Sequence, residues 1–374
     1  MQVRRIATTG ELQQYSATWN TLTQGVPFRS WEWLSTWWDH YGAGRELYIL
    51  AVHDDCGALV GILPLFCERS ATRGRVLQLL GSGEVCTDYV TVLSTAAHED
   101  AVLDAIASWM IDAGGRNASH EHQWDLLELG CVLTSDVAIS RLIGTLADAG
   151  CGVHRKPGPN CWKLALPTSW DDVYARLSKN RRKAFRKLQR DVLDRGRLVF
   201  KTAGTPEELD SAMVLFIDLH QKRRISLGEA GCFASKQFAA FMKAVSTRLF
   251  AAGMLELSWI ELDGHPVAVD FCLVDTETIY GYQGGIDPMA SGESPGHLMT
   301  MAQVRNAISS SRNAYDLLRG DEPYKADWKA EPRATINLRV SANRAASQVR
   351  QGVWLAGAAM KNFVKGGLTL TGMH

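Results

Sequence analysis

The chain has 374 residues, 46% of them hydrophobic and 21% charged, and its 40 Lys and Arg balance its 40 Asp and Glu. That length suits two domains or one large one, and the composition is ordinary for a globular protein. A net charge of zero excludes any global demand for nucleic acid or a membrane, so only local charge can carry such a claim.

The eight cysteines (Cys56, Cys67, Cys86, Cys131, Cys151, Cys161, Cys232, Cys272) are scattered singly, with no Cys-x-x-Cys and no Cys/His cluster at metal-ligand spacing. They read as reduced thiols of a cytoplasmic protein, with no metal implied. The N-terminus lacks the apolar run of a signal peptide. No stretch approaches the ~18 apolar residues of a spanning helix.

In chain order, the first half predicts a strand at 3–7 and a helix at 9–22. Ser30 is a good N-cap, and Trp33, Leu34, Trp37 and Trp38 follow at helical spacing. They suit a core-facing helix or the aromatic wall of a groove. Strands at 47–52 and 58–66 flank an Asp54-Asp55-Cys56-Gly57 turn. A strand at 75–80 ends at Gly81-Ser82-Gly83, and Asp88 leads another at 88–93, as a turn cap or a cleft residue. A helix at 99–113, a strand at 124–129, a helix at 136–149 and strands at 151–154 and 161–166 complete a mixed α/β half.

Pro167 marks a boundary, and a long helix is predicted at 170–194. Between Arg176 and Arg197 there are ten Lys or Arg against two Asp. This is a solvated basic face, or a contact for phosphates of a cofactor, RNA or lipid surface. Sparse aromatic interleaving argues against nucleic acid. After a strand at 198–202, Thr205-Pro206-Glu207-Glu208 opens a helix that carries His220, a structural or catalytic histidine. A flexible link at 228–233 precedes a helix at 235–251. Three meander strands follow at 254–262, 266–274 and 279–286, the first hairpin marked by Asp263-Gly264. The middle strand sets Asp270 among apolar residues. A carboxylate there either pairs with a core Arg or lines a cleft as a base with raised pKa. Then come a polar loop at 287–293, a helix from Ser294-Pro295-Gly296 to about 309, a strand at 314–318, the turn Arg319 to Lys325, and a last strand at 335–340.

That order resembles the GNAT fold of the N-acetyltransferase superfamily. With Phe28-Arg29-Ser30-Trp31-Glu32-Trp33, Asp88-Tyr89, His220 and its arginines, Gly281-Tyr282-Gln283-Gly284-Gly285, and Gly320-Asp321-Glu322-Pro323-Tyr324-Lys325 with Trp328, it looks like the CelD/BcsL acetyltransferases. These are related to the FemABX transferases, which carry two GNAT-like domains. The resemblance implies tandem α/β domains, each a mostly antiparallel sheet flanked by helices, at 1–165 and 166–345, with a tail at 346–374. It implies no permanently bound cofactor but acyl-CoA as co-substrate. The donor would lie in the gap between the strands at 279–286 and 314–318, against Tyr282, Gln283, Gly284 and Gly285. Its pyrophosphate would meet N–H groups between Gly292 and Leu298, with Ser294, Gly296 and His297 among them. The usual GNAT phosphate signature, Gln/Arg-x-x-Gly-x-Gly/Ala, is replaced by Ser294-Pro295-Gly296-His297, which leaves a tRNA-borne acyl donor as the alternative. Lys325 would bind an acceptor phosphate or carboxylate, Tyr324 would protonate the leaving thiolate, and Asp321 would orient Lys325 or the amine. The competing reading of this turn is a structural Asp–Lys pair. Asp270, His220 and Asp88 complete the candidate catalytic set.

A helix at 342–364 carries Val349, Val353, Trp354, Met360, Phe363 and Val364 beside Arg344, Arg350, Lys361 and Lys365, and residues 366–374 are expected to fray. It caps the fold, or with the basic helix at 170–194 touches the inner face of a membrane. Three functions follow: acyl transfer from acyl-CoA to an amine or hydroxyl of an envelope glycan, sugar or lipid precursor (a sphingoid base included), FemABX-like transfer from aminoacyl-tRNA, or a non-catalytic GNAT scaffold in polysaccharide biosynthesis.

Overall fold

The computed structural model describes residues 1–370, with side chains through residue 357. Local signals set most element starts. The Ser30 hydroxyl accepts from the Trp33 N–H and opens helix Trp31–Tyr41. Thr205 caps helix Pro206–Ser226 through the Glu208 N–H, with Pro206 in the first turn. Asp263 and Gly264 both adopt positive φ, 50° and 82°, as a tight two-residue hairpin requires.

Three elements differ from expectation. The 170–194 helix breaks into Trp170–Arg176 and Lys179–Leu188, followed by a π-turn at Gln189–Leu193. Leu177 turns extended and buries itself, and Ser178 caps the second helix. The 88–93 segment is loop, with only Leu93–Ser94 as strand, because Tyr89 sits at φ 64°. The 9–22 helix divides into Thr9–Gln13, Ser16–Trp19 and a 3₁₀ turn, Asn20–Leu22.

The fold is mixed α/β, with mostly antiparallel sheets flanked by helices: a seven-stranded sheet in the second half, and a four-stranded and a six-stranded sheet in the first. In the second half the sheet runs Leu198–Thr202, Leu255–Leu262, His265–Val274, Thr278–Ile286, Ala314–Arg319, Cys161–Ala165, Glu331–Arg333. Every pairing is antiparallel except that of Thr278–Ile286 with Ala314–Arg319. The first half repeats this order. Gln2–Ile6 pairs Ile49–His53, which pairs Leu59–Leu63. The chain continues past Pro64, which has no N–H for a ladder, into Leu65–Ser70. That strand pairs Gly74–Leu79, which runs parallel to Leu126–Leu133, followed by Thr335–Ser341 and Gly152–Pro157.

One strand of the seven-stranded sheet and one of the six-stranded sheet come from the other half. Cys161–Ala165, expected to close the first half, pairs with Ala314–Arg319. Thr335–Ser341, expected to close the second, lies between Leu126–Leu133 and Gly152–Pro157. Sheet membership therefore does not follow a cut at 165/166.

An aromatic seam joins the halves. Trp33 is fully buried and meets Phe28, Phe241 and Tyr282 edge-on, at centroid distances of 5.2, 5.3 and 5.2 Å. Its indole N–H donates to Thr87 Oγ1 at 2.9 Å. The tryptophan-rich helix is thus a core-facing one, packed on helix Lys236–Ala251. The tail helix, Ala345–Leu370, extends past the expected 364. Its start docks on the first half, with Ser347 Oγ and Arg350 on Asp125 and Arg339 donating to Gln351 at 2.7 Å. Val349, Val353 and Trp354 are exposed. The side chains of Met360, Lys361, Phe363, Val364 and Lys365, and residues 371–374 of the stretch expected to fray, lie outside the described residues. Among the described residues no helix is long and apolar enough to cross a membrane.

Trp33→Ala should cost about 3–5 kcal/mol of stability, read from denaturant unfolding. Fluorescence and circular dichroism should report one coincident transition, because the cavity falls between the halves. A loss under about 1 kcal/mol would show that the seam is not structural.

Candidate active site

Parallel pairing of Thr278–Ile286 with Ala314–Arg319 spans three residue pairs, Thr278 with Ala314 through Tyr280 with Asp316. Beyond them the strands part. The edge of residues 281–286 that faces the gap has no partner strand there. A β-bulge falls at this place: Cys272 pairs Gly281 and Phe271 pairs Gln283, so Tyr282 is the extra residue. Gly284 is exposed in the gap, whereas Gly285 is buried. A Cβ on Gly285 would stand 2.5 Å from the His220 backbone N, so only glycine lets helix Pro206–Ser226 approach.

Asp270 stands opposite Gly284, and a Cβ there would meet its Oδ1 at 2.6 Å. It is only half-buried. No ion pair to it occurs among the described residues, so the core-Arg alternative does not hold. Burial pushes its carboxyl up to about 7, against a smaller opposing effect of the Tyr315 hydroxyl. Tyr324 is 40% exposed, and its phenol is pushed up first by burial, then by the nearby charges of Glu322 and Asp270. A carboxyl of raised pKa thus stands close enough to a protonated phenol for its charge to act on it.

The other expected residues are placed differently. Lys325 is buried, and its ammonium donates to the carbonyls of Leu318, Arg319 and Gly320 at 3.2, 2.9 and 3.0 Å, with Glu322 at 2.9 Å. Its donors are consumed in holding the turn, so it does not offer a charge to an acceptor. Asp321 accepts from Asn160 Nδ2 at 2.9 Å and Trp162 Nε1 at 3.0 Å, which holds its carboxyl below the usual range. It ties the turn to the exchanged strand rather than to Lys325. Asp88 is buried against Arg319, whose Nε donates to it at 2.7 Å, and burial raises its pKa. That pair, with the Tyr89 hydroxyl shared between the two Asp316 carboxylate oxygens at 3.0 and 2.8 Å, fastens the halves together. His220 is buried under Phe216 and Phe233. Tyr282 donates to the Val85 carbonyl at 2.7 Å and belongs to the aromatic seam.

The start of helix Pro295–Ser309 is a reduced anion cradle. Ser294, at φ 56°, donates to Ser291 O, and the N–H groups of His297 and Leu298 bond to Ser294 O. Pro295 has no N–H, so Gly296 alone of residues 294–298 keeps a backbone donor without a backbone acceptor. Arg181 adds charge from the basic helix. Its Nη1 lies 2.9 Å from His297 Nε2, and its Nη2 is paired with Asp327. Burial, and then Arg181, lowers the His297 pKa, so the ring is neutral and accepts from Arg181. Sequence reasoning missed Arg181, one of ten similar charges. It also missed Asp316, whose only mark was a carboxylate inside an apolar strand, and Tyr315.

The first half has its own gap, where three parallel pairs, Val76–Gln78 with Leu126–Glu128, come to an end. Beside it lies a cavity of about 360 Å³ lined by His154, Lys156, Arg319, Arg339 and Trp354 among others. Arg319 ends the strand that borders the second-half gap, so the two spaces share a wall.

This architecture is that of tandem GNAT-like proteins. Residues 179–326 match the sequence profile of an acetyltransferase (GNAT) domain. Among solved structures the chain is similar to FemX, at 12% identity and a TM-score of 0.64, over 93% of this chain and 99% of that one. A conserved protein of unknown function from Bacteroides thetaiotaomicron gives 11%, 0.57, 91% and 100% respectively. The C-terminal domain of a putative lysylphosphatidylglycerol synthetase from Agrobacterium fabrum gives 10%, 0.51, 94% and 96%. At such identities these likenesses define the fold alone. Comparison with curated proteins gives no match. The chain has the GNAT-type acyltransferase fold in tandem.

Lys325→Ala should destabilise the protein by about 1.5–3 kcal/mol, because carbonyls bonded to a charged donor are left unpaired in the interior. Chemical denaturation measures this. Unchanged stability with lost activity would return Lys325 to the role of acceptor ligand.

Proposed function

We propose that the chain is an acyl-CoA-dependent acyltransferase acting on an amine, or a hydroxyl, of an envelope glycan, sugar or lipid precursor. The observation that carries this reading is Asp270: a half-buried carboxylate, raised to about 7, in the gap where a thioester would lie. The unpaired strand edge at 281–286 would hold the pantetheine arm and orient the thioester carbonyl. Gly296 and Arg181 would take the pyrophosphate in place of a full N–H cradle. Asp270 would remove the proton as the amine attacks, and Tyr324 would give one to the departing thiolate.

The acceptor is the finer part of the proposal. Lys156 lines the neighbouring cavity and would meet an anionic group of a precursor there. A lipid-borne acceptor, a sphingoid base among the candidates, is supported by the exposed Val349, Val353 and Trp354 and by the basic helix Lys179–Leu188. One structural neighbour is named for the synthesis of a lipid, lysylphosphatidylglycerol. Peripheral attachment to the cytoplasmic membrane face belongs to this reading. The aminoacyl-tRNA alternative is favoured by one observation, the reduced cradle at Ser294–His297.

Acyl-CoA at 100 times its Kd should stabilise the fold by about 2.7 kcal/mol, seen as a rise in melting temperature. No stabilisation by acetyl-CoA or any long-chain acyl-CoA would sink the coenzyme A reading, and strongly salt-dependent tRNA binding would replace it.

Turnover should rise with pH through about 7 as Asp270 loses its proton. Asp270→Asn should reduce kcat by about 10²–10⁴ and abolish that limb. A variant with the wild-type profile would remove Asp270 from the chemistry.

A further inference from the structure

A second reactive cluster lies behind the donor strand. Gly231, at φ 74°, turns the chain out of the link that follows helix Pro206–Ser226 and sets Cys232 beside His220. Cys232 Sγ lies 3.5 Å from His220 Nε2. On the other side of the ring, His220 Nδ1 lies 3.2 Å from Gln221 Oε1.

The Gln221 amide is fixed by its other end, where Nε2 donates to the Ala230 carbonyl at 3.0 Å. Its oxygen can only accept, so Nδ1 of His220 must carry the proton. Nε2 is then a lone pair facing the thiol. The order is nucleophile, base and orienting amide, the geometry that activates a weak nucleophile.

The imidazole is buried beneath Phe216 and Phe233, which fixes its plane, whereas the sulfur is half-buried. Burial lowers the His220 pKa and pushes the Cys232 thiol up to about 11, so the resting pair is neutral. Proton transfer then accompanies attack.

The pair opens into a cavity of about 280 Å³ lined by His220, Arg224, Glu229, Gly231, Cys232 and Gln283. Gln283 pairs with Phe271 on one side and lies on the stretch of the donor strand whose other edge borders the gap, one residue past the bulge at Tyr282. The cavity therefore joins the thiol to the strand on which a thioester carbonyl would rest.

We propose that Cys232 is an acyl-accepting nucleophile, activated by His220 and positioned through Gln221, that carries the acyl group as a thioester between donor and acceptor. This rests on the acyl-transfer reading above, with the proton transfers routed through His220 and the sulfur in place of Tyr324 and Asp270. In the first step the sulfur attacks the donor carbonyl, the donor C–S bond breaks, and the thiol proton passes through His220 to the departing thiolate. The products are acyl-Cys232 and free donor thiol. In the second step an amine attacks acyl-Cys232, the new C–S bond breaks, and the amine proton returns to the sulfur. Both steps are redox-neutral: the first exchanges one C–S bond for another, and the second exchanges C–S and N–H for C–N and S–H.

The test omits the acceptor. Protein is incubated with acetyl-CoA, with a long-chain acyl-CoA, and separately with acetyl-N-acetylcysteamine, a small thioester that needs no nucleotide recognition. Intact mass and peptide mapping follow. One acyl group should appear on Cys232, be removed by neutral hydroxylamine, and be absent from Cys232→Ala. His220→Gln should slow its formation by about 10²-fold or more, and the rate should follow titration of the histidine. Melting temperatures of the variants control for folding.

Stabilisation by acyl-CoA without an adduct, with turnover retained in Cys232→Ala, overturns the relay and leaves direct transfer from coenzyme A standing. Acylation of Cys232 by the small thioester, without any binding of acyl-CoA, supports the relay and removes coenzyme A as donor. No adduct from any thioester and no stabilisation overturn both.

Discussion

The second-half gap depends on a carboxylate buried where it opens. Asp316 occupies the last paired position of the parallel ladder, fully buried, with its pKa raised to about 6 by burial. It is tolerated there because the Tyr89 hydroxyl and the Leu318 N–H bond to it. Tyr89 comes from the other half of the chain and holds a positive φ to reach it. Next door, Asp88 takes Arg319. The strand is thus gripped from the first half just where it leaves its parallel neighbour. The gap is a feature of the pair of halves and not of one sheet.

The same physics sorts the charged residues around it. Asp88, Asp316 and Lys325 are buried and their hydrogen bonds are filled, so they hold the frame. Asp270 is half-buried with no ion pair among the described residues, so burial raises its pKa while part of the group stays exposed. Residue type alone does not separate these fates, since three of the four are aspartates. The difference lies in what the opposite strand supplies: Gly284 leaves room beside Asp270, whereas Arg319 closes over Asp88.

Much of this was legible in the residues. Caps at Ser30 and Thr205, Pro295 in the first turn of its helix, the Asp263-Gly264 turn and the meander pattern placed the elements, because each signal acts within a few residues of itself. As candidates, Asp270 was marked by an acid in an apolar run and Tyr324 by a polar turn after a strand. Other features depend on distant partners. Lys325 looked like a free cation because the three carbonyls that enclose it are set by how the turn folds back. Asp321 looked like its partner because Asn160 and Trp162 arrive on a strand assigned to the other half. Cys232 and His220 are twelve residues apart with a loop between them, and no spacing rule joins them. The two exchanged strands escaped for the same reason, since an alternating apolar strand fits either vacancy equally well.

The exchanged strand also sets an order of events during synthesis. Leu126–Leu133 and Gly152–Pro157 leave the ribosome well before Thr335–Ser341, the strand that must lie between them. Until it arrives, the nascent first half exposes two unpaired strand edges one strand-width apart. Such edges are templates for any extended segment of suitable pattern. The segment most available is Cys161–Ala165, which emerges next and would have to be given up later to the second sheet. The same register that binds the halves into one body therefore makes the nascent chain's greatest hazard a mispairing with itself.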